Sequence, residues 1–224
     1  MSEKIDYESL RRLLDDGAQL VEVLPREEYE EEHLPGAINI PLKELDADST
    51  AKLDKARPVI VYCWDYLCDM SPRAAARLDS LGFERVYDYA ASKVDYLARG
   101  LPREGTKAGE QRAVDLLRDD MVRCGLAYPI EKVRAEVEAS RYGFALVVNE
   151  DQVLLGRLRH SMLEGDGATK AEEAMEAGPS TIRADTSVEM LRERLEGRGL
   201  NFAIVTTPDG VLIGIVCRAD LPAD

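Results

Sequence analysis

The residues of this 224-residue chain best suited to covalent chemistry are two cysteines in one loop, Cys63 and Cys68, with four residues between them. Trp64, Asp65, Tyr66 and Asp69 fill the rest of that loop, and Ser71 and Arg73 follow it. A thiolate, not a thiol, is the nucleophile. A reactive cysteine therefore needs nearby amides or cations to hold the negative sulfur, and solvent access for its substrate. Two thiols in one loop can also pair reversibly as a disulfide. The plainer role of Cys63 is a packing thiol at the end of a strand, and Cys124 and Cys217 read as small apolar packing residues. Four cysteines so spaced are too few for a disulfide framework, and two distant histidines give a zinc site little to draw on.

The elements that must position these thiols follow from patterning. Pro58-Val59-Ile60-Val61-Tyr62 is apolar on both faces, as a buried parallel strand would be, and it ends at Cys63. Ser71-Pro72 is a good helix start, with Ser71 as N-cap and Pro72 in the first helical position, and the helix is predicted to run to Leu81 and stop at Gly82. Cys63 thus stands at the C-terminal edge of a parallel strand, before a loop that feeds a helix N-terminus. Open α/β sheets place ligands there, and helix dipole and amides favour an anion. Upstream, Tyr7 to Asp16 has helical spacing closed by Gly17, and Leu20 to Leu24 is a short strand; Arg85 to Tyr89 supplies another after the helix. Alternating strands and helices predict a mainly parallel sheet flanked by helices.

Residues 101–111 are rich in proline, glycine and charge and mark the best boundary, giving domains at 1–104 and 105–224. The second domain repeats itself, at about 110–163 and 170–224. Phe144 to Gly156 lines up with Phe202 to Gly214, each reading as a β-hairpin. A helix precedes each, Ile130 to Ser140 and Ser187 to Arg198, and a helical segment with a methionine (Met121, Met175) opens each copy. The expected class is therefore α/β followed by an α+β repeat.

A net charge of −14 and a pI near 4.7, with no Lys/Arg cluster, argue against a nucleic-acid partner. The acidic, amphipathic N-terminus is not a signal peptide, and no apolar run is long enough to span a bilayer, so a soluble cytoplasmic protein with no membrane partner is expected.

Residues 5–102 resemble the rhodanese family. Leu20-Val21-Glu22-Val23-Leu24-Pro25-Arg26-Glu27-Glu28-Tyr29 and His33-Leu34-Pro35-Gly36-Ala37-Ile38-Asn39-Ile40-Pro41 look like its first signature. Val59-Ile60-Val61-Tyr62-Cys63 looks like the strand ending in its catalytic cysteine, and Gly82-Phe83 and Gly100-Leu101-Pro102 fall where its closing elements lie. The resemblance implies a sulfurtransferase: a cysteine persulfide formed on Cys63 from a sulfur donor and passed to a thiol acceptor, with no cofactor required. Cys68 would resolve the persulfide, or be the nucleophile itself, since Cys68 and Arg73 share a cysteine–arginine spacing common in the family. Glu22 and Leu24 stand where the family has an acid and an arginine, Ala91-Ser92 where it has paired glycines, and Tyr96 where it has a tryptophan. The loop is longer and more acidic than usual, and Asp65 and Asp69 would repel thiosulfate, with Arg73 and Lys93 as partial compensation. A phosphatase would need arginine where Asp69 stands, so that chemistry is set aside. Without catalysis, the same domain would serve as a binding module or a thiol-redox sensor.

Residues 110–222 resemble a tandem pair of CBS modules. The second copy carries Ala174-Met175, Ser180-Thr181-Ile182, Asp185-Thr186-Ser187-Val188 and Gly214-Ile215-Val216-Cys217-Arg218-Ala219-Asp220. The resemblance implies regulation or homodimerisation, with an adenosine nucleotide as candidate ligand. Asp220 would be its ribose contact, Thr181 a second contact, and Arg157, Arg159 and His160 candidates for phosphate.

Overall fold

The structure is a computed structural model that describes residues 2–223, in two compact units, Met1–Glu110 and Gln111–Asp224. Residues 105–110, read from sequence as the start of the second domain, fold back on the first unit: the amides of Thr106 and Lys107 donate to the carbonyls of Glu30 and Glu31. Gly105, at φ +122°, makes this approach feasible, since a Cβ there would lie 2.4 Å from the Glu31 carbonyl oxygen.

The first unit runs β1 (Glu3–Ile5), α1 (Tyr7–Asp15), β2 (Gln19–Glu22), α2 (Arg26–Glu31), β3 (Ile38–Asn39), β4 (Val59–Tyr62), α3 (Met70–Ser80), β5 (Val86–Tyr89) and α4 (Ser92–Ala98). Its five strands form a parallel sheet in the order β1-β5-β4-β2-β3. β2 and β4 are buried along their whole length, as the two-sided apolar run of β4 requires. Strand alternation divides the core. Val59, Val61 and Cys63 pack with Ala74, Ala75 and Leu78 of α3, whereas Ile60 and Tyr62 join Leu10 of α1 and Tyr89 on the other face.

The chain leaves β2 for β3 on one side and leaves β4 for β5 on the other, so the topological switch point lies between β2 and β4. Cys63 stands at that point. α3 begins two residues earlier than the proline signal suggested, at Met70, and its preceding residue Asp69 makes no side-chain cap. Ser71 is therefore inside the helix rather than its N-cap, and its hydroxyl is spent elsewhere.

The second unit repeats one topology. In the first copy β6 (Val122–Gly125) pairs parallel with β7 (Phe144–Val148), which pairs antiparallel with β8 (Leu154–Arg159), and α5 (Ile130–Ala139) lies between β6 and β7. α6 (Ala171–Ala174) and β9 (Glu176–Ala177) follow. The second copy has β10 (Thr181–Arg183), α7 (Val188–Gly197), β11 (Phe202–Thr206) and β12 (Leu212–Cys217) in the same arrangement. Even the register slips recur, between Val147 and Val148 and between Val205 and Thr206. The copies meet reciprocally: Leu154 N donates to Gly210 O, Leu212 N to Gln152 O, and the rings of Phe144 and Phe202 stack at 4.3 Å. Met175 follows the short α6, but Met121 precedes β6 outside any helix, so the expected helical opening holds for one copy only. Among the described residues, no helix is long and apolar enough to cross a membrane.

Candidate active site at the switch point

Cys63 is buried completely. Its amide donates to Ser92 Oγ (3.0 Å), and its carbonyl accepts from Lys93 N, so the strand end is stitched to the start of α4. Ser92 sits at φ +58°, a left-handed conformation usual for glycine, in the place where the sequence departs from paired glycines. Its hydroxyl gives a local reason for the strain, accepting from Cys63 N and donating to Tyr89 O at 2.9 Å.

The sulfur of Cys63 faces carbonyls and hydroxyls: Asp65 O at 3.8 Å, Cys68 O at 3.6 Å, Ser71 Oγ at 3.4 Å and Ser92 Oγ at 3.8 Å. Two loop amides that might have cradled it, those of Leu67 and Cys68, donate instead to Asp65 Oδ1 at 2.9 and 3.2 Å. The acidic residue of the loop thus closes a local turn. Burial pushes the Cys63 thiol up; the Ser71 hydroxyl and amide pull it down, and Cys68 beside it pushes it up again. A standing thiolate is disfavoured, and proton removal has to be assisted.

The other residues named from the sequence are spread around this centre. Cys68 is half-buried and packs against the same core cluster. Trp64 is exposed and lies over Lys93 Nζ (5.6 Å from the ring centre), and Tyr66 is also exposed. Asp69 and Arg73 are exposed and face each other at 3.5 Å, and Arg73 makes no hydrogen bond to either thiol. Lys93 does not compensate the loop acids: it is 1% exposed and bound to Glu22 Oε1 at 2.7 Å, with the carbonyls of Glu28 and Glu32 as further acceptors. Tyr62 OH donates to the other Glu22 oxygen at 2.5 Å. Burial raises the Glu22 pKa, while Lys93 and Tyr62 lower it.

A cleft of about 750 Å³ opens beside the loop, at the ends of β2 and β3 and along α3. Four cations, Arg26, Lys43, Arg73 and Arg77, line it against two acids, Glu27 and Glu44. Val23 and Met70 on its wall pack with Cys63 and Cys68 in one cluster. This local positive charge in a strongly acidic chain was not found from the sequence, because its residues come from three separate segments.

In the second unit, the residues present do not fit a nucleotide in the expected manner. Asp220 is held by Arg118 in a bidentate pair, Nε to Oδ2 at 2.5 Å, and that hydrogen bond lowers its pKa. Thr181, on β10, offers its carbonyl to Arg194. Arg157 and Arg159 both engage Glu176, and His160 faces Glu164 at 4.0 Å. A cleft of about 650 Å³ is lined by Arg123, Tyr128 and Asn149, with neither Asp220 nor Thr181 on its wall. Among the described residues, no cluster could hold a metal ion.

Residues 6–98 match the model of the rhodanese-like domain, and residues 171–221 that of the CBS domain. The thiosulfate sulfurtransferase GlpE of Pseudomonas savastanoi pv. phaseolicola is 33% identical over 84 residues, 38% of this chain and 76% of that protein. The chain belongs to the rhodanese-like family. This rhodanese-like chain is also 40% identical, over 103 residues, to the HTH-type transcriptional regulator Rv0324 of Mycobacterium tuberculosis; the match spans 46% of this chain and 45% of the regulator. It is also similar to the CBS domains of a transcriptional regulator from Streptococcus pneumoniae, at 16% identity and a TM-score of 0.46, covering 50% of this chain and 96% of that one. It therefore spans about half the length of the mycobacterial relative. The first repeat shares the strand order and register slips of the second.

Proposed function

We propose that the rhodanese-like unit is a sulfurtransferase with Cys63 as sulfur carrier. The Cys63 thiolate attacks the sulfane sulfur of a donor, an S–S bond forms, and the donor fragment leaves with the electron pair. An acceptor thiolate then attacks the outer sulfur and regenerates the Cys63 thiolate. The observation that carries this reading is the position of Cys63 at the switch point of a parallel sheet, with Cys68 packed against the same cluster and a cationic cleft beside it. The loop must open for transfer, since Cys63 is buried; its exposed tip, with Leu67 83% exposed, has little packing to break. The cleft is far larger than thiosulfate needs, and it suits an acidic organic persulfide in a reducing cytoplasm.

Intact-mass spectrometry after exposure to sulfane-sulfur donors tests this. A gain of one sulfur atom that disappears in Cys63→Ser supports the reading; no gain with any donor removes it. A second reading rests on two thiols packed in one cluster, with the Cys68 carbonyl 3.6 Å from the Cys63 sulfur: Cys63 and Cys68 toggle a disulfide, for which the expected signature is a loss of two hydrogens that needs both cysteines.

For the CBS pair we propose a homodimerising or regulatory role, measurable by light scattering. An adenosine nucleotide would have to displace Arg118 from Asp220, and calorimetry with AMP, ADP, ATP and S-adenosylmethionine tests whether any does.

A further inference from the structure

Four oxygens of two kinds face the sulfur of Cys63. Those of Asp65 and Cys68, at 3.8 and 3.6 Å, are carbonyls; those of Ser71 and Ser92, at 3.4 and 3.8 Å, are hydroxyls. Carbonyls accept from a thiol but repel a thiolate, whereas a hydroxyl can accept in one state and donate in the other. The cations near the loop are engaged elsewhere, Arg73 with Asp69 at 3.5 Å and Lys93 with Glu22 at 2.7 Å. The remaining ionisable groups there are acids. Asp65 Oδ1 takes the Leu67 and Cys68 amides, Asp95 of α4 accepts from Tyr89 OH, and Cys68 is a thiol. Asp88 of β5, buried beside Val61 on the sheet face that α3 covers, has no partner for its Oδ1. Help for a negative sulfur has to come from the hydroxyls.

Ser92 is the better placed of the two. It is completely buried at φ +58°, where glycine is at ease and serine is strained. Its Oγ accepts from Cys63 N at 3.0 Å and donates to Tyr89 O at 2.9 Å. Rotation about the Cβ–Oγ bond carries that one proton from Tyr89 O to the sulfur, while the oxygen goes on accepting from Cys63 N. A hydrogen bond to an ionised acceptor is about twice as strong as a neutral one, so ionisation of the thiol drives the turn. Loop opening adds to the difference. The carbonyls of Asp65 and Cys68 belong to the loop and leave with it. Ser92 stays, because Cys63 N donates to it and its neighbour Lys93 N donates to Cys63 O at 3.4 Å.

We infer that Ser92 is a catalytic residue whose hydroxyl donates to the Cys63 sulfur whenever that sulfur is negative, with Ser71 as the second donor. Charge gathers there twice in one transfer. It sits first on the attacking thiolate. It returns when the acceptor thiolate takes the outer sulfur and the electron pair of the broken S–S bond goes back to Cys63. The thiol proton leaves to solvent, and the hydroxyl proton stays on Ser92 throughout; no bond to its oxygen forms or breaks. A serine kept at a glycine angle thus has a task beyond tying the strand end to α4.

The role rests on the sulfur-transfer reading for its nucleophile alone, and reaches beyond it by naming the group that holds the charge. Alkylation with iodoacetamide, followed residue by residue by mass spectrometry over a range of pH, tests it on the full chain. Ser92→Gly keeps the backbone angle without strain and loses the hydroxyl. The Cys63 rate at neutral pH should fall about tenfold, and the midpoint of its pH profile should rise by about one pKa unit. Ser92→Ala, which lacks the hydroxyl but keeps a Cβ, should show the same shift, and Ser92→Gly combined with Ser71→Ala a larger one. Cys68, alkylated in the same samples, should not slow, which separates a lost donor from an altered loop. An unchanged Cys63 midpoint in whichever Ser92 variant folds overturns the inference, and so does an equal fall in rate at Cys68. A Cys63 that follows Ser92 yet never gains sulfur keeps this role and removes the sulfurtransferase reading instead.

Discussion

The candidate site of the first unit and the candidate ligand edge of the second treat their carboxylates in opposite ways. Under the loop, Asp88 is fully buried, one of its oxygens has no partner, and its pKa is raised. At the end of β12, Asp220 is partly exposed, gripped at both oxygens by Arg118, with its pKa lowered. A carboxylate left short of partners can take up a proton; one saturated by a guanidinium can neither accept a proton nor bind a ribose without first losing that guanidinium. The same residue type, with equal standing in the sequence, is poised in one unit and closed in the other.

Glu22 sharpens the contrast within the first unit, because it is as buried as Asp88 but fully partnered by Lys93 and Tyr62. Lys93→Met should have the largest effect, since it leaves an uncompensated buried charge: a loss of about 3–5 kcal/mol in urea unfolding at neutral pH. Without Lys93 the Glu22 pKa rises further above its unfolded value. The defect should therefore shrink as the pH falls and Glu22 is protonated. A defect that does not change with pH would show that Glu22 and Asp88 are not distinguished by partnering.

Asp88→Asn should behave differently. The folded chain holds a proton on Asp88 more tightly than the unfolded chain, so this group stabilises the fold in acid, and the contribution is lost as pH rises through the folded value. The asparagine variant is free of that loss and should gain on wild type with rising pH, by about 1 kcal/mol. A variant that loses stability at every pH would make Asp88 a structural acid.

Arg118→Ala should hardly change stability, as expected for a pair with substantial exposure. If the guanidinium is what closes Asp220, this variant is the form in which adenosine nucleotides produce heat in calorimetry, with none in wild type. Ser92→Gly comes last: relief of the left-handed strain, about 1 kcal/mol, offsets the lost bonds to Cys63 N and Tyr89 O. Its melting temperature should hardly move.

The fold was legible because its strongest signals are local. The two-sided apolar run at Val59–Tyr62, the glycine stops at Gly17 and Gly82, and the repeat of Phe144–Gly156 in Phe202–Gly214 all returned as elements. Short strands such as β1 and β3 escaped, being two or three residues held by neighbours distant in sequence. At the site, Cys63 and Cys68 were found by type and spacing, but their partners depend on register. Asp88 did leave one signal, a charged residue in the middle of an otherwise apolar and tyrosine-bearing strand. The Asp65 turn that occupies the loop amides left none, because aspartate in a polar loop is ordinary. Lys93 could not be told from a surface cation until Glu22 was placed beneath it.

Locating the transferred sulfur in the wild-type chain is the most direct test of the central claim. The protein would be incubated with an organic persulfide, trapped by alkylation, and mapped by peptide mass spectrometry. The account expects the added sulfur on Cys63, with Cys63–Cys68 disulfide appearing only after it. Sulfur found on Cys68 with Cys63 unmodified would contradict it.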